Sequence, residues 1–224
     1  MTTPLARVLS VVLHPLLMPT LLFATVFYQA PSVIRNLSYF NESASVDVGP
    51  IRITIVAGLL WLLFLYTFLV PVLVIYWLHR LGFVQSLTLE TRRDRNLPYL
   101  VTAGIYSSLT FFFVYRLPQL PEVALLLGSV AFSVALVAAI TIFWKISAHA
   151  VGIGGVLGAL TGLLLRFGET GLFWPLLGTI VLTGLVLSAR LHLNAHTPEQ
   201  MGGGLLLGII VSLTAVIGLG RLYG

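Results

Sequence analysis

Cysteine is absent from this 224-residue chain and charge nearly so, since only 8% of residues are Asp, Glu, Lys or Arg. The first absence excludes disulfides and thiolate metal sites but says nothing about compartment. The second excludes an ordinary soluble domain, in which about a quarter of the residues are charged. Among the charged residues the acidic ones are the fewer, seven against twelve basic ones. The resulting net charge of +5 is scattered over short polar stretches, with one concentrated group at Arg92, Arg93 and Arg95. A chain with so little soluble surface has no face to offer a duplex, so nucleic acid is not an expected partner. An anionic lipid headgroup or phosphate is. Also missing are tandem repeats and the period-two alternation of barrel strands.

What fills the chain is apolar: 58% of residues are hydrophobic. They fall into seven runs, at about 8–28, 53–78, 99–115, 123–144, 148–165, 172–188 and 201–219, each near the length that crosses a bilayer. Backbone groups in hydrocarbon need internal hydrogen bonds, so the runs predict helices. The fold class expected is all-α, a polytopic membrane protein of one compact domain. The first run is longer than a secretory signal core and no small-residue cleavage site clearly follows it, so a retained helix is expected. Arg35 to Pro50 is the longest polar connection, and Leu81 to Leu89 suits a short interfacial stretch. Gly154, Gly158 and Gly162 recur every four residues, as do Gly204 and Gly208, which suits close helix packing.

Three polar clusters interrupt this pattern: Glu90 to Pro98 (ETRRDRNLP), Lys145 to His149 (KISAH) and Arg190 to Gln200 (RLHLNAHTPEQ). An even number of apolar runs separates each cluster from the next. A chain that crosses twice returns to the side it left, so all three can meet at one membrane face. Guanidinium groups donate paired, coplanar hydrogen bonds that suit phosphate oxygens. Arg190 and His196 can both face an anion, while Lys145, Ser147 and His149 stand at a helix start with free backbone amides. Two histidines permit one to attack phosphorus and the other to protonate the leaving oxygen, with no metal or other cofactor.

The clusters resemble the signatures of the type-2 phosphatidic acid phosphatase family, Lys-x6-Arg-Pro, Pro-Ser-Gly-His and Ser-Arg-x5-His-x3-Asp. The third is matched best, with Arg190 and His196 at the family interval, Ala189 in place of Ser and Gln200 in place of Asp. The second reads Ile146-Ser147-Ala148-His149, keeping Ser and His. In the first, Arg95 takes the arginine position, Thr88 stands at the lysine position and proline arrives only at Pro98. The resemblance implies a six-helix phosphatase-like core over 53–224, with 1–52 as an additional N-terminal helix and loop. It implies a metal-independent lipid phosphatase that hydrolyses a phosphomonoester or pyrophosphate of a phospholipid or polyprenol. His196 would be the nucleophile and His149 the general acid. Arg95, Lys145, Ser147 and Arg190 would hold the phosphate, with Arg92 and Arg93 as further cations. Gln200, or the adjacent Glu199, would orient His196.

Plainer readings stand beside these. Arg92 and Arg93 suit lipid headgroups as well as a ligand, Asp94 and Glu90 suit pairing with the arginines, and His14 and His79 suit structural roles. His192 and His196, four apart, could bind a metal with Glu199 or His149, although Arg190 beside a divalent ion would be repulsive. A catalytically silent lipid-phosphate binder or carrier, or a structural subunit of a membrane complex, are the other function classes. With the five cluster cations set aside for a ligand, Arg7 and Arg80 share the clusters' face and Arg35, Arg52, Arg116, Arg166 and Arg221 lie opposite. That balance directs the clusters outward from a bacterial inner membrane.

Overall fold

The computed structural model describes residues 1–37, 45–48, 51–87, 89 and 91–222, without the side chains of 45–48, 51–53, 92, 93 and 219–222. Among the described residues, seven helical stretches are long and apolar enough to cross a membrane: Thr3–Gln29, Ile55–Arg80, Asp94–Arg116, Pro121–Thr141, Ala148–Phe167, Thr170–His192 and Pro198–Gly218. At about 1.5 Å of rise per residue, about 20 residues match the hydrocarbon thickness. The chain is an all-α polytopic membrane protein. Among the described residues an antiparallel hairpin, β1 (Ser45–Val48) and β2 (Ile51–Thr54), interrupts the helices before the second span.

The first span departs from the uninterrupted helix expected over 8–28. It is divided into α1 (Thr3–Val12) and α2 (Met18–Gln29) by a single 3₁₀ turn, Pro15–Leu17. Pro15 lacks a backbone N–H and disfavours helical geometry in the residue before it, and His14 is accordingly extended (φ −65°, ψ 138°). Both ends of α1 touch residues at one end of the bundle: Thr3 Oγ1 lies 3.3 Å from His192 Nε2, and the Ser10 carbonyl lies 3.0 Å from His149 Nε2. Ala6 and Ser10 turn inward while Leu5, Val8 and Val12 are exposed, the pattern of a helix lying along the bundle end with one face toward lipid.

The second span is α3 (Ile55–Phe64) and α4 (Val70–Arg80), joined by a π turn at Leu65–Leu69. Pro71 cannot donate to the carbonyl four residues earlier, which is that of Thr67. Tyr106 replaces the missing donor, its O–H reaching the Thr67 carbonyl at 2.6 Å. The remaining helices are α5 (Arg92–Arg116), α6 (Pro121–Thr141), α7 (Ala148–Phe167), α8 (Phe173–His192) and α9 (Pro198–Leu222). Their buried faces share one apolar core that includes Phe23, Leu63, Phe113, Leu126 and Leu160. Trp61, Trp77, Tyr115, Phe143 and Trp174 are exposed near span ends, where amphipathic rings form interfacial belts.

The glycine pattern acts between α7 and α9, as the sequence predicts. A Cβ on Gly158 would stand 2.6 Å from the Ile209 carbonyl oxygen and 2.8 Å from its Cα, and one on Gly204 would stand 2.8 Å from the Ser147 carbonyl oxygen. No side chain fits between these backbones. The contact fixes the first turn of α7 against the first turn of α9, which places two of the polar clusters side by side.

Candidate functional site

Each cluster builds a helix start. Thr91 caps α5 by accepting the Asp94 N–H at 3.2 Å, and the Asp94 carboxylate accepts the Thr91 hydroxyl at 2.7 Å and the Gln85 N–H at 3.0 Å. Ser147 caps α7, its Oγ facing the Ala150 N–H at 3.4 Å. Thr197 caps α9 in a reciprocal capping box: its Oγ1 accepts the Gln200 N–H at 3.4 Å while Gln200 Oε1 accepts the Thr197 N–H at 3.3 Å. Such caps are each worth about 1 kcal/mol. Three helix N-termini, with their partial positive charge, thus lie at one end of the bundle.

A cavity of about 390 Å³ opens among them, walled at its polar end by Arg95, Tyr99, His149, Arg190, His196 and His14. Deeper, the wall is largely apolar, with Leu22, Ile75, Val130, Val134 and Val137, and a few hydroxyls from Thr102, Tyr106, Ser133 and Ser212. The shape suits an amphiphile with an anionic head.

His196 is 8% exposed, and its Nδ1 lies 3.1 Å from Gln200 Oε1 and 3.3 Å from the Lys145 carbonyl oxygen. Both partners only accept, so Nδ1 carries the proton and the Nε2 lone pair is left for the cavity. Burial lowers the His196 pKa to about 4. The Arg95 charge lowers it further, the Gln200 hydrogen bond opposes this, and Arg190 and Lys145 add to the lowering. At neutral pH the ring is a neutral base ringed by three cations.

Arg95 is 5% exposed and tied down by its Nε–H to the Leu89 carbonyl at 2.5 Å. Leu89, whose carbonyl meets the arginine, adopts a left-handed backbone (φ 51°). Arg190 differs: its Nε is buried without a hydrogen-bond partner. Leaving such a donor unmet costs about 1–3 kcal/mol, more when charged, which an incoming anion would recover. His149 donates Nε2–H to the Ser10 carbonyl, leaving Nδ1 as the nitrogen free to exchange a proton.

Four of the expected site residues therefore share the cavity: His196, His149, Arg95 and Arg190. Gln200 stands behind His196 as its orienting partner. Ser147 does not reach the cavity: it is fully buried and its hydroxyl is spent on the α7 cap. Lys145 lies beside His196 and its charge acts there, but it is not part of the cavity wall. Glu199 is exposed on the outer side of the α9 start, because the capping box turns Gln200 toward His196. The Arg92 and Arg93 side chains, Thr88 and Glu90 lie outside the described residues.

The metal set His192, His196, Glu199 and His149 is not assembled. His192 is exposed against Thr3, and among the described residues no three His, Cys, Asp or Glu side chains gather as metal ligands do. Asp94 caps α5, and His79 closes the turn after α4 through its Nδ1–H to the Val84 carbonyl at 2.9 Å.

No family model, curated protein or solved structure matches this chain. The site is therefore read from its own geometry.

Sequence reasoning gave His14 a structural role and passed over Tyr99, and both stand in the cavity wall. Tyr99 follows the first cluster by one residue past Pro98, and its position in the second turn of α5 brings it beside Arg95. His14 lies before Pro15 inside a run read as one helix, so the bend that turns it to the cavity was not anticipated.

Proposed function

We propose that this chain is a membrane-embedded phosphatase, a divergent relative of the type-2 phosphatidic acid phosphatases, acting on an amphiphilic phosphate or pyrophosphate. The observation that carries the reading is His196: a neutral imidazole whose Nδ1–H is held by Gln200 and whose Nε2 faces a cavity walled by Arg95 and Arg190. A buried guanidinium whose Nε has no hydrogen-bond partner, beside an oriented nucleophile, supports an anionic substrate.

In the first step the His196 Nε2 lone pair attacks phosphorus. An N–P bond forms, the bond to the lipid oxygen breaks, and that oxygen takes its electron pair and the Nδ1 proton of protonated His149. Arg95 and Arg190 neutralise charge on the non-bridging oxygens, with Lys145 adding its field. Phosphorylation makes His196 cationic, and the Gln200 and Lys145 carbonyls accept its remaining N–H. Water then attacks phosphorus, returns a proton to His149 Nδ1 and frees His196. The apolar depth of the cavity would receive the start of the lipid chain.

We place the site on the outward face of a bacterial inner membrane, since the arginines uncommitted to a ligand are fewer on its side. The experiment is phosphate release by purified protein in detergent, with chelator, across phospholipid and prenyl phosphates and diphosphates. Release by wild type and at least about 1,000-fold less by His196→Ala would support the enzyme, by the scale of removing a catalytic nucleophile. Tight binding of the same lipids without release would replace it with a silent binder or carrier, a reading that the uncharged Gln200 favours.

A further inference from the structure

The N-terminal helix pair brings a third histidine to the cavity. His14 lies edge-on to His149, with ring centroids 5.7 Å apart at 74°, and also meets Phe68 at 6.5 Å and 76°. Its Nδ1 accepts the Leu16 N–H at 3.3 Å, so the neutral ring carries its proton on Nε2. Among the described residues that Nε2–H has no hydrogen-bond partner, and the ring forms part of the cavity wall.

The position is built. Pro15 sets the extended backbone of His14, and Gly152, one turn into α7 from His149, receives Pro15 and Met18 so closely that a Cβ there would stand 3.1 Å from Met18 Cγ and 3.4 Å from Pro15 Cα. The bend is seated on the helix that carries the acid. A histidine with two ring contacts and one nitrogen committed to backbone presents the other as a fixed neutral donor.

We infer that His14 is a substrate-contacting donor on the leaving-group side, and that it selects lipid diphosphates over lipid monophosphates; the inference rests on the phosphatase reading above. On the phosphatase reading His149 protonates the leaving oxygen, and His14 packs directly on it. When a monoester is cleaved, the departing group offers one oxygen, which His149 satisfies. When a diphosphate is cleaved, the departing group is itself a phosphate with further oxygens. His196 Nε2 bonds to the terminal phosphorus, the bridging P–O bond breaks, the bridging oxygen takes the His149 proton, and His14 Nε2–H donates to a non-bridging oxygen of the departing lipid phosphate. His14 keeps its proton throughout.

The test compares a prenyl diphosphate with the prenyl monophosphate of the same tail, using the purified full chain, His14→Phe and His14→Gln. His14→Phe keeps the aromatic packing and removes the donor; His14→Gln restores an N–H. The wild type should prefer the diphosphate. The diphosphate-to-monophosphate ratio of kcat/KM should fall about 10- to 100-fold in His14→Phe, the scale of one hydrogen bond to a charged group, and recover in part in His14→Gln. An unchanged ratio, even with both rates reduced, would show that His14 only packs and would overturn the inference. If the wild type turns over neither lipid, the ratio of their dissociation constants decides: a preference for diphosphate lost in His14→Phe keeps the His14 assignment while the phosphatase reading falls, and equal affinities overturn it.

Discussion

Gln200 accepts the His196 Nδ1 proton at 3.1 Å without contributing charge. An orienting carboxylate in a catalytic triad is worth about 10⁴-fold in rate, and a carbonyl supplies the orientation alone. Gln200→Glu keeps the length and the capping box and adds the charge. It should raise kcat for phosphate release at least about tenfold, a fraction of that triad effect, and lift the His196 titration; no gain in kcat would mean that the second step or product release limits turnover. The wild-type titration is itself testable. Nitrogen NMR of ring-labelled protein in micelles should show Nδ1-protonated His196 at neutral pH, with a midpoint near 4 in the absence of anion. A midpoint at the ordinary 6.5 would contradict the burial and the flanking cations. Between 6.5 and about 4 the unfolded chain holds a proton that the folded chain refuses, so stability falls as pH drops through that window and is unaffected above it. His196 and its Gln200 partner were legible through the resemblance to the third family signature, in which Gln200 stands at the position of the orienting Asp. The sequence concealed Ser147, because a hydroxyl at a cap and a hydroxyl at a phosphate read alike until the α7 amide that occupies it is seen.

The helix ends decide the site. Thr91, Ser147 and Thr197 start α5, α7 and α9, and the glycines of α7 and α9 clamp two of those starts together. The spacing of those glycines was readable in advance, because only a close helix approach uses small residues every fourth position. Less readable was the π turn, whose orphan Thr67 carbonyl finds Tyr106 from another helix at 2.6 Å. Pro71 announces a missing donor but not its replacement. Tyr106→Phe removes the replacement and leaves a buried carbonyl unmet, so stability in detergent should fall by about 1–3 kcal/mol as followed by chemical unfolding. Because Phe68 belongs to that turn and closes on His14, the same change should also weaken diphosphate turnover more than monophosphate turnover. An unaltered unfolding midpoint would mean that water serves the carbonyl. The break at His14 and Pro15 shows where hydropathy fails: an apolar run has a length, but a run that turns along the membrane face and then enters the bundle has the same one.

At the scale of the whole molecule, even spacing of apolar runs sufficed to bring three distant clusters to one end of a seven-span bundle, since crossing parity is fixed by the count alone. The outward orientation proposed for that end rests on the arginines that serve no ligand. The chain has no cysteine, so single substitutions report accessibility without background. In intact cells an impermeant maleimide should label Glu199→Cys at the cluster end and spare Thr170→Cys at the other; the reverse pattern would turn the site toward the cytoplasm. The central proposal is that His196 takes phosphate from a lipid, and the three helix starts and the unmet Arg190 Nε support it. The most direct measurement is peptide mapping of protein quenched in base during turnover of a labelled lipid diphosphate. Phosphate on the His196 peptide, absent from His196→Ala, is the result expected. Turnover without a phosphorylated histidine, or with the label on His149, would contradict it.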